Sequence, residues 1–200
     1  MMSGILYWIL YAIVRAAMFL YHPVFHVVGR ENVPGEGRLL ICPNHSGMAD
    51  PLWVLFALRM NHVPRIMAKK EVMDVPVLGW ILRKFGVFGV DRGGNDVNAI
   101  KTGLRCLKDE QQLLIFPEGT RVKHGCRVEP KRGVILLSNR TDTPILPVYL
   151  STKRFPFGPL TCVLGSPSLP DFGGVRPTDE QLEGAAVSLM DQIYEMGERK

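Results

Sequence analysis

"RLLICPNHSGMADPLWVLFAL", residues 38–58, runs from an unbroken apolar stretch through a short polar loop into a second apolar stretch that opens on Asp-Pro. The first part, "RLLICP" (38–43), has the length and composition of a buried strand. The second reads as a helix over 51–60, because Asp50 is a good N-cap and Pro51 suits the first helical position. Between them, Gly47 tolerates the dihedrals that a bend requires. Strand, loop and helix in that order form the repeating unit of an α/β sheet, and the same alternation continues along the chain. "PRIMAK" (64–69), "GVFGV" (86–90), "LLIF" (113–116), "PILPVYL" (144–150) and "LTCVLGS" (160–166) are further strands. Helices are expected over 76–84, 95–109, 131–139 and 178–196, the last opened by Thr178 as N-cap. The expected fold is α/β: a single mixed, largely parallel sheet flanked by helices. "PSLPDFGGVRPTDE" reads as a connector to the last helix.

The loop of the opening stretch poses a chemical question, since it holds His45 and Asp50 five positions apart. On a continuous helix at ~3.6 residues per turn those side chains diverge around the axis. The loop must bend if they are to meet, which sets His45 above a helix start.

Two hundred residues make one domain with a sizeable core. The net charge of +5 favours anionic partners: phospholipid surfaces, phosphorylated metabolites or acyl thioesters on anionic carriers. Cys42, Cys106, Cys126 and Cys162 are scattered, so neither a zinc site nor a disulfide framework is indicated and a reducing compartment follows. The compositional outlier is "ILYWILYAIVRAAMFLYHPVFHVV" (5–28), apolar almost throughout but carrying Arg15 and Pro23. It is marginal as a span, which needs ~20 mainly apolar residues, and it lacks the basic start and the cleavage site of a signal peptide. Residues 4–21 read as an apolar membrane-associated helix lying in one leaflet. Arg15 then snorkels, and Tyr7, Trp8, Tyr11 and Tyr21 sit at headgroup depth. The alternative is a buried core helix. The expected division is therefore a membrane-associating segment at 1–28 and a catalytic domain at 29–200, at the cytoplasmic face of the cell membrane. His22 and His26 are four apart, but Pro23 breaks the helix that would align them on a metal.

Four stretches carry polar chemistry at strand ends: "NHSGMAD" (44–50), "KKEVMDVPVLGWILRKFGVFGVDR" (69–92), "IFPEGTR" (115–121) and "ILPVYL" (145–150). In that order and spacing they resemble the glycerolipid acyltransferase family, over roughly residues 38–166. The resemblance implies that His45 and Asp50 are catalytic and that Glu118, Gly119, Thr120 and Arg121 bind the acceptor. It also matches Lys70, Glu71, Pro76, Gly79, Gly86 and Arg92 to the second motif, with Arg92 and Lys70 as further acceptor-binding residues, and Pro147 to the fourth. Val72 and the order Ser46-Gly47 depart from the family pattern without touching His45 or Asp50.

The chemistry of the residues agrees with this. Transfer of an acyl group from a thioester to an alcohol requires the hydroxyl to lose its proton as it attacks, and imidazole suits that task near neutral pH. Asp50 would fix the His45 tautomer and stabilise the imidazolium, as in a hydrolase triad whose serine is replaced by the acceptor's own hydroxyl. Arg121 offers a planar fork of donors for a phosphate monoester, supported by Thr120 and the Gly119 N–H. Glu118 either orients Arg121 or binds a glycerol hydroxyl. Lys131 and Arg132 head a helix and either attract an anion or are solvated. Trp80, Phe85 and Phe88 either wall an acyl slot or belong to the core.

No G-x-S-x-G elbow and no G-x-x-x-x-G-K-[ST] loop occurs, which excludes the usual serine hydrolase and P-loop readings. Nucleic-acid binding rests on charge alone, and no nucleic-acid partner is expected. The expected reaction uses acyl-CoA or acyl carrier protein as donor and lysophosphatidate as acceptor, giving phosphatidate, with membrane lipids as partners and no metal or bound cofactor. The alternatives are an acyltransferase for another lysophospholipid or glycerol 3-phosphate, and a non-catalytic lipid-binding protein of the membrane surface.

Overall fold

The run at 39–42 shows no polar alternation because both of its sides are covered. Leu39 and Ile41 enter one apolar cluster, Leu40 and Cys42 another, and all four are fully buried. A computed structural model describes residues 4–58, 63–76, 78–84, 86–90 and 97–198. In it, strand β2 (Leu40–Pro43) lies in the middle of a sheet that also contains β1 (Phe25–Val28), β3 (Arg65–Lys69), β4 (Val87–Val90), β5 (Leu113–Leu114), β6 (Ile145–Leu150) and β7 (Leu160–Leu164). The order is β1-β7-β6-β2-β5-β3-β4. β6, β2, β5, β3 and β4 run parallel; β7 is antiparallel to β6, and β1 is parallel to β7. The mixed, largely parallel sheet and its flanking helices agree with the sequence-based expectation.

One face carries α1 (Gly4–Tyr21) and α2 (Asp50–Ala57), whose Tyr11, Trp53, Val54 and Leu55 pack with Ile66, Leu114 and Leu146. The other carries α5 (Val97–Lys108), α6 (Gly133–Thr141) and α7 (Asp179–Glu198). In α7, Leu182, Ala186, Leu189, Met190 and Ile193 recur at helical spacing and are buried, each large side chain contributing ~1.5–3 kcal/mol of apolar transfer. Thr178 caps this helix as expected: its hydroxyl accepts the Gln181 N–H at 3.2 Å while Gln181 accepts the Thr178 N–H at 2.9 Å. The short helices α3 (Lys70–Met73) and α4 (Leu78–Lys84) fill the second motif stretch.

Three expectations are corrected. β1 lies inside the stretch assigned to the membrane segment, so residues 25–28 are part of the sheet. The alternating "FHVV" follows a long apolar helix, which hides a four-residue strand. Tyr11 is not at headgroup depth, being buried against Phe56 at 5.4 Å between ring centroids, whereas Trp8 and Tyr21 are exposed. The Tyr7 side chain lies outside the described residues. Finally, α2 starts at Asp50 itself, one residue earlier than expected, with no capping by the Asp50 carboxylate on the turn ahead.

Candidate active site

Because five strands run parallel, their carboxyl ends share one edge, and the loops that leave them meet there. β2 delivers His45, its neighbour β5 delivers Glu118–Arg121, β6 on its other side delivers residues 151–154, and β3 delivers Lys70.

The loop after β2 is held by hydrogen bonds from Asn44 through Gly47. Asn44 is fully buried, and its amide completes the end of β6: Nδ2 donates to the Leu150 carbonyl at 3.0 Å and Oδ1 accepts the Leu150 N–H at 2.7 Å. The His45 N–H donates to Glu118 Oε2 at 2.6 Å, and the His45 carbonyl accepts the Val122 N–H at 2.7 Å. The main chain of His45 is thereby gripped from both sides by the stretch "PEGTRV". Its ring stacks on Phe116, centroids 4.0 Å apart and planes 26° from parallel. His45 Nδ1 meets Asp50 Oδ2 at 2.9 Å, and Nε2 has no partner among the described residues.

Asp50, with no exposed side-chain surface, saturates its carboxylate. Oδ2 also accepts the N–H groups of Ser46 at 2.7 Å and Gly47 at 2.8 Å, and Oδ1 accepts Arg154 Nη1 at 2.5 Å. The helix-starting aspartate turns back onto the loop, and this bends residues 45–50 so that a five-residue spacing brings His45 and Asp50 together. Gly47 acts through space and not through an unusual dihedral: a Cβ there would stand 2.9 Å from Arg154 Nη1 and 3.2 Å from Asp50 Oδ1. Burial pushes the Asp50 carboxyl up, but the His45 ring N–H, the Arg154 charge and the Gly47 N–H outweigh it and hold Asp50 below the usual carboxylate range.

Glu118 is buried and ties the two halves of the site together. One of its oxygens accepts the His45 N–H and the other the Tyr194 hydroxyl at 2.5 Å, and no hydrogen bond or ion pair to Arg121 is seen among the described residues. Burial raises its carboxyl above the ordinary value, against the two donors that favour its charge. Tyr194 is raised in turn, by burial and by the Glu118 carboxylate it faces. Arg127 stacks 4.0 Å over the Tyr194 ring and pairs with Asp191 at 3.1 Å, which fastens the 122–130 loop to α7.

Gly119, at φ +64°, turns the chain under Lys131, whose N–H is bonded to the Pro117 carbonyl at 2.8 Å. Thr120 and Arg121 emerge exposed from that turn, and Arg121 has no ion-pair partner among the described residues. Lys70 is exposed at the end of β3, on the same edge. Arg92 and Phe85 lie outside the described residues. Phe88 belongs to the second apolar cluster while Trp80 is exposed, so the structure does not gather them into one slot. His22 bonds the Gly158 carbonyl at 2.9 Å, and no group of three or more potential ligands stands ready for a metal among the described residues.

Arg154 and Tyr194 were not singled out in the sequence. A lone arginine in "STKRFPF" and a tyrosine in an amphipathic helix look like surface and core. Their partners lie 104 and 76 positions away. Arg154 is a positioning residue for Asp50, whose Oδ1 accepts its Nη1 at 2.5 Å. A hydrogen bond to a charged group contributes ~1.5–3 kcal/mol, so Arg154→Met is expected to lower the melting temperature together with kcat, and Arg154→Lys to restore part of both. Unchanged unfolding and turnover in Arg154→Met would remove it from the support of Asp50.

A buried carboxylate thus stands behind a half-open imidazole at the carboxyl edge of a largely parallel sheet, an arrangement with the chemistry of a general base. The chain belongs to the acyltransferase family, whose model matches residues 24–151. It is 28% identical over 176 residues to the 1-acyl-sn-glycerol-3-phosphate acyltransferase of Bacillus subtilis, covering 85% of this chain and 86% of that protein. With the Borreliella burgdorferi protein of the same name it shares 31% over 151 residues, 72% of this chain and 58% of the relative. The crystal structure of the 1-acyl-sn-glycerophosphate (LPA) acyltransferase PlsC from Thermotoga maritima has the same fold, with a TM-score of 0.65 at 22% identity over 90% of this chain and 75% of that one.

Proposed function

We propose that this protein transfers an acyl group from acyl-CoA or acyl carrier protein to the sn-2 hydroxyl of 1-acylglycerol 3-phosphate, giving phosphatidate, at the cytoplasmic face of the cell membrane. The observation that carries this reading is the His45–Asp50 pair at 2.9 Å, with His45 Nε2 left open beside the exposed Arg121 loop. The names of the relatives supply the acceptor. His45 Nε2 takes the proton of the acceptor hydroxyl as its oxygen attacks the thioester carbonyl. The C–O bond forms, the C–S bond breaks, and the proton passes to the departing thiolate. Asp50 keeps Nδ1 protonated and supports the transient imidazolium. The test is a panel of acceptors (lysophosphatidate, other lysophospholipids and glycerol 3-phosphate) with labelled acyl groups on each carrier. Phosphatidate from lysophosphatidate is the expected main product, and its absence overturns the reading.

Arg121 is assigned to the acceptor's phosphate, because it is exposed, free of ion pairs among the described residues, and next to the residue whose N–H holds His45. Charge-assisted hydrogen bonds contribute ~1.5–3 kcal/mol, so Arg121→Ala is expected to lower kcat/KM for a phosphorylated acceptor roughly 10- to 150-fold. Arg121→Lys costs less but measurably, since an ammonium cannot make two parallel bonds. A neutral monoacylglycerol should lose almost nothing. An equal loss on both acceptors assigns the phosphate elsewhere.

A further inference from the structure

The reversal between β6 and β7 has a spatial result that bears on how a lipid reaches His45. β7 starts at the edge where β6 ends, and β1 is parallel to β7 with Phe25 opposite Leu160, so α1 also ends at the catalytic edge. Three bonds lock the chain leaving α1 to the β6–β7 loop: the Phe157 N–H to the Tyr21 carbonyl at 2.9 Å, His22 Nδ1 to the Gly158 carbonyl at 2.9 Å, and the Leu160 N–H to the Val24 carbonyl at 2.8 Å. Around these bonds the surface is apolar. Leu20 is 76% exposed, Phe157 72% and Phe155 61%, with Tyr21 and Val24 beside them. Phe157 is held outward on a backbone of φ +62°, a conformation that a phenylalanine rarely adopts.

We propose that the Phe155-Pro156-Phe157 tip is a second membrane contact, inserting with the end of α1 into an anionic phospholipid surface and bringing the catalytic edge down to the acceptor. Charge selects this occupant. Residues 1–30 and 151–170 contain no acidic residue, and Arg15 and Lys153 are the cations they bring toward the tip, Arg154 being paired with Asp50 and Arg30 lying past the far end of β1. Lys153 stands 5.8 Å over the Phe155 ring. His124 bonds the Thr152 hydroxyl at 2.7 Å, which draws the loop bearing Arg121 and Lys123 to the same lip. Exposed aromatic rings within a rim of cations fit the headgroup layer of an anionic leaflet. Among the described residues no helix is long and apolar enough to cross a membrane, and a second apolar element beside α1 would add to the area that a one-sided attachment buries. The tip leads directly from Arg154, the partner of Asp50, so its insertion sets the distance between bilayer and site.

This inference rests on the membrane attachment read for α1, and the experiment separates the two. The full chain is mixed with vesicles of phosphatidylcholine and phosphatidylglycerol, and with phosphatidylcholine alone, and partitioning is measured by sedimentation. Phe155→Ser combined with Phe157→Asn, the latter because asparagine tolerates positive φ, is expected to lower affinity for the anionic vesicles at least ~10-fold. Turnover of a short-chain, water-soluble acceptor should be unchanged, which also verifies folding. Phe155→Trp in the otherwise unaltered chain should be quenched by brominated acyl chains. Unaltered partitioning of the double variant, or an unquenched tryptophan at 155, overturns the proposal while leaving α1 as the anchor. A parent chain that ignores both vesicles overturns the attachment itself. A parent dimer that the double variant converts to a monomer, with vesicle binding intact, makes the patch a contact between copies and overturns the proposal too.

Discussion

Replacing His45 with alanine is expected to lower kcat by ~100- to 10,000-fold with little change in donor affinity, the range that general bases supply. The variant should fold normally, because the ties of this residue to the rest of the protein run through its backbone. Its N–H is on Glu118, its carbonyl receives the Val122 N–H, and the ring adds only the stack on Phe116 and the bond to Asp50. Turnover with labelled acyl donor and a thermal unfolding curve, measured together, check both halves. Activity within a few-fold of the parent protein would remove His45 from the chemistry.

Asp50→Asn should be as damaging to turnover, ~100-fold or more, and should in addition destabilise the protein. An ionised Asp50 accepts four hydrogen bonds, three on Oδ2 and one on Oδ1. An asparagine offers one accepting oxygen and one donating NH2. Whichever way the amide turns, its NH2 faces either Arg154 Nη1 or the His45 ring N–H and the backbone N–H groups of Ser46 and Gly47. A buried donor left without an acceptor costs ~1–3 kcal/mol, so the melting temperature falls along with kcat. The change also removes the negative charge that supports the imidazolium. The measurement is kcat and unfolding on one preparation. Near-normal turnover with a lowered melting temperature would leave Asp50 a structural residue of the loop.

The strands were legible wherever an apolar run is bounded by glycine or proline, as in "RLLICP" and "PILPVYL", because a strand covered on both faces admits no polar residue. β1 was not, since "FHVV" is short, half-exposed and preceded by eighteen helical residues whose composition dominates the region. Of the site, the pairing of His45 with Asp50 was legible from residue types and from the need for a bend. The role of Glu118 was not, because its two partners, the His45 N–H and the Tyr194 hydroxyl, come from distant parts of the chain and one of them is a backbone group that every residue possesses. Arg154 was hidden for the same reason: nothing local distinguishes an arginine that solvates a loop from one that folds back onto a buried carboxylate.

The pairing of β1 with β7 also sets an order of assembly. Among the described residues β1 pairs with no strand but β7, and β7 is the last strand in chain order. Every other strand can find its place while the N-terminal strand still waits, and long-range pairings of this kind are the slow steps of folding. Until β7 exists, β1 has no strand to pair with, and α1 is held by side-chain packing alone, Tyr11 against Phe56 of α2 included. With α1 attached to a bilayer as proposed above, a newly made chain would be tethered before β1 and β7 pair, and would complete its sheet next to the lipid it is proposed to modify.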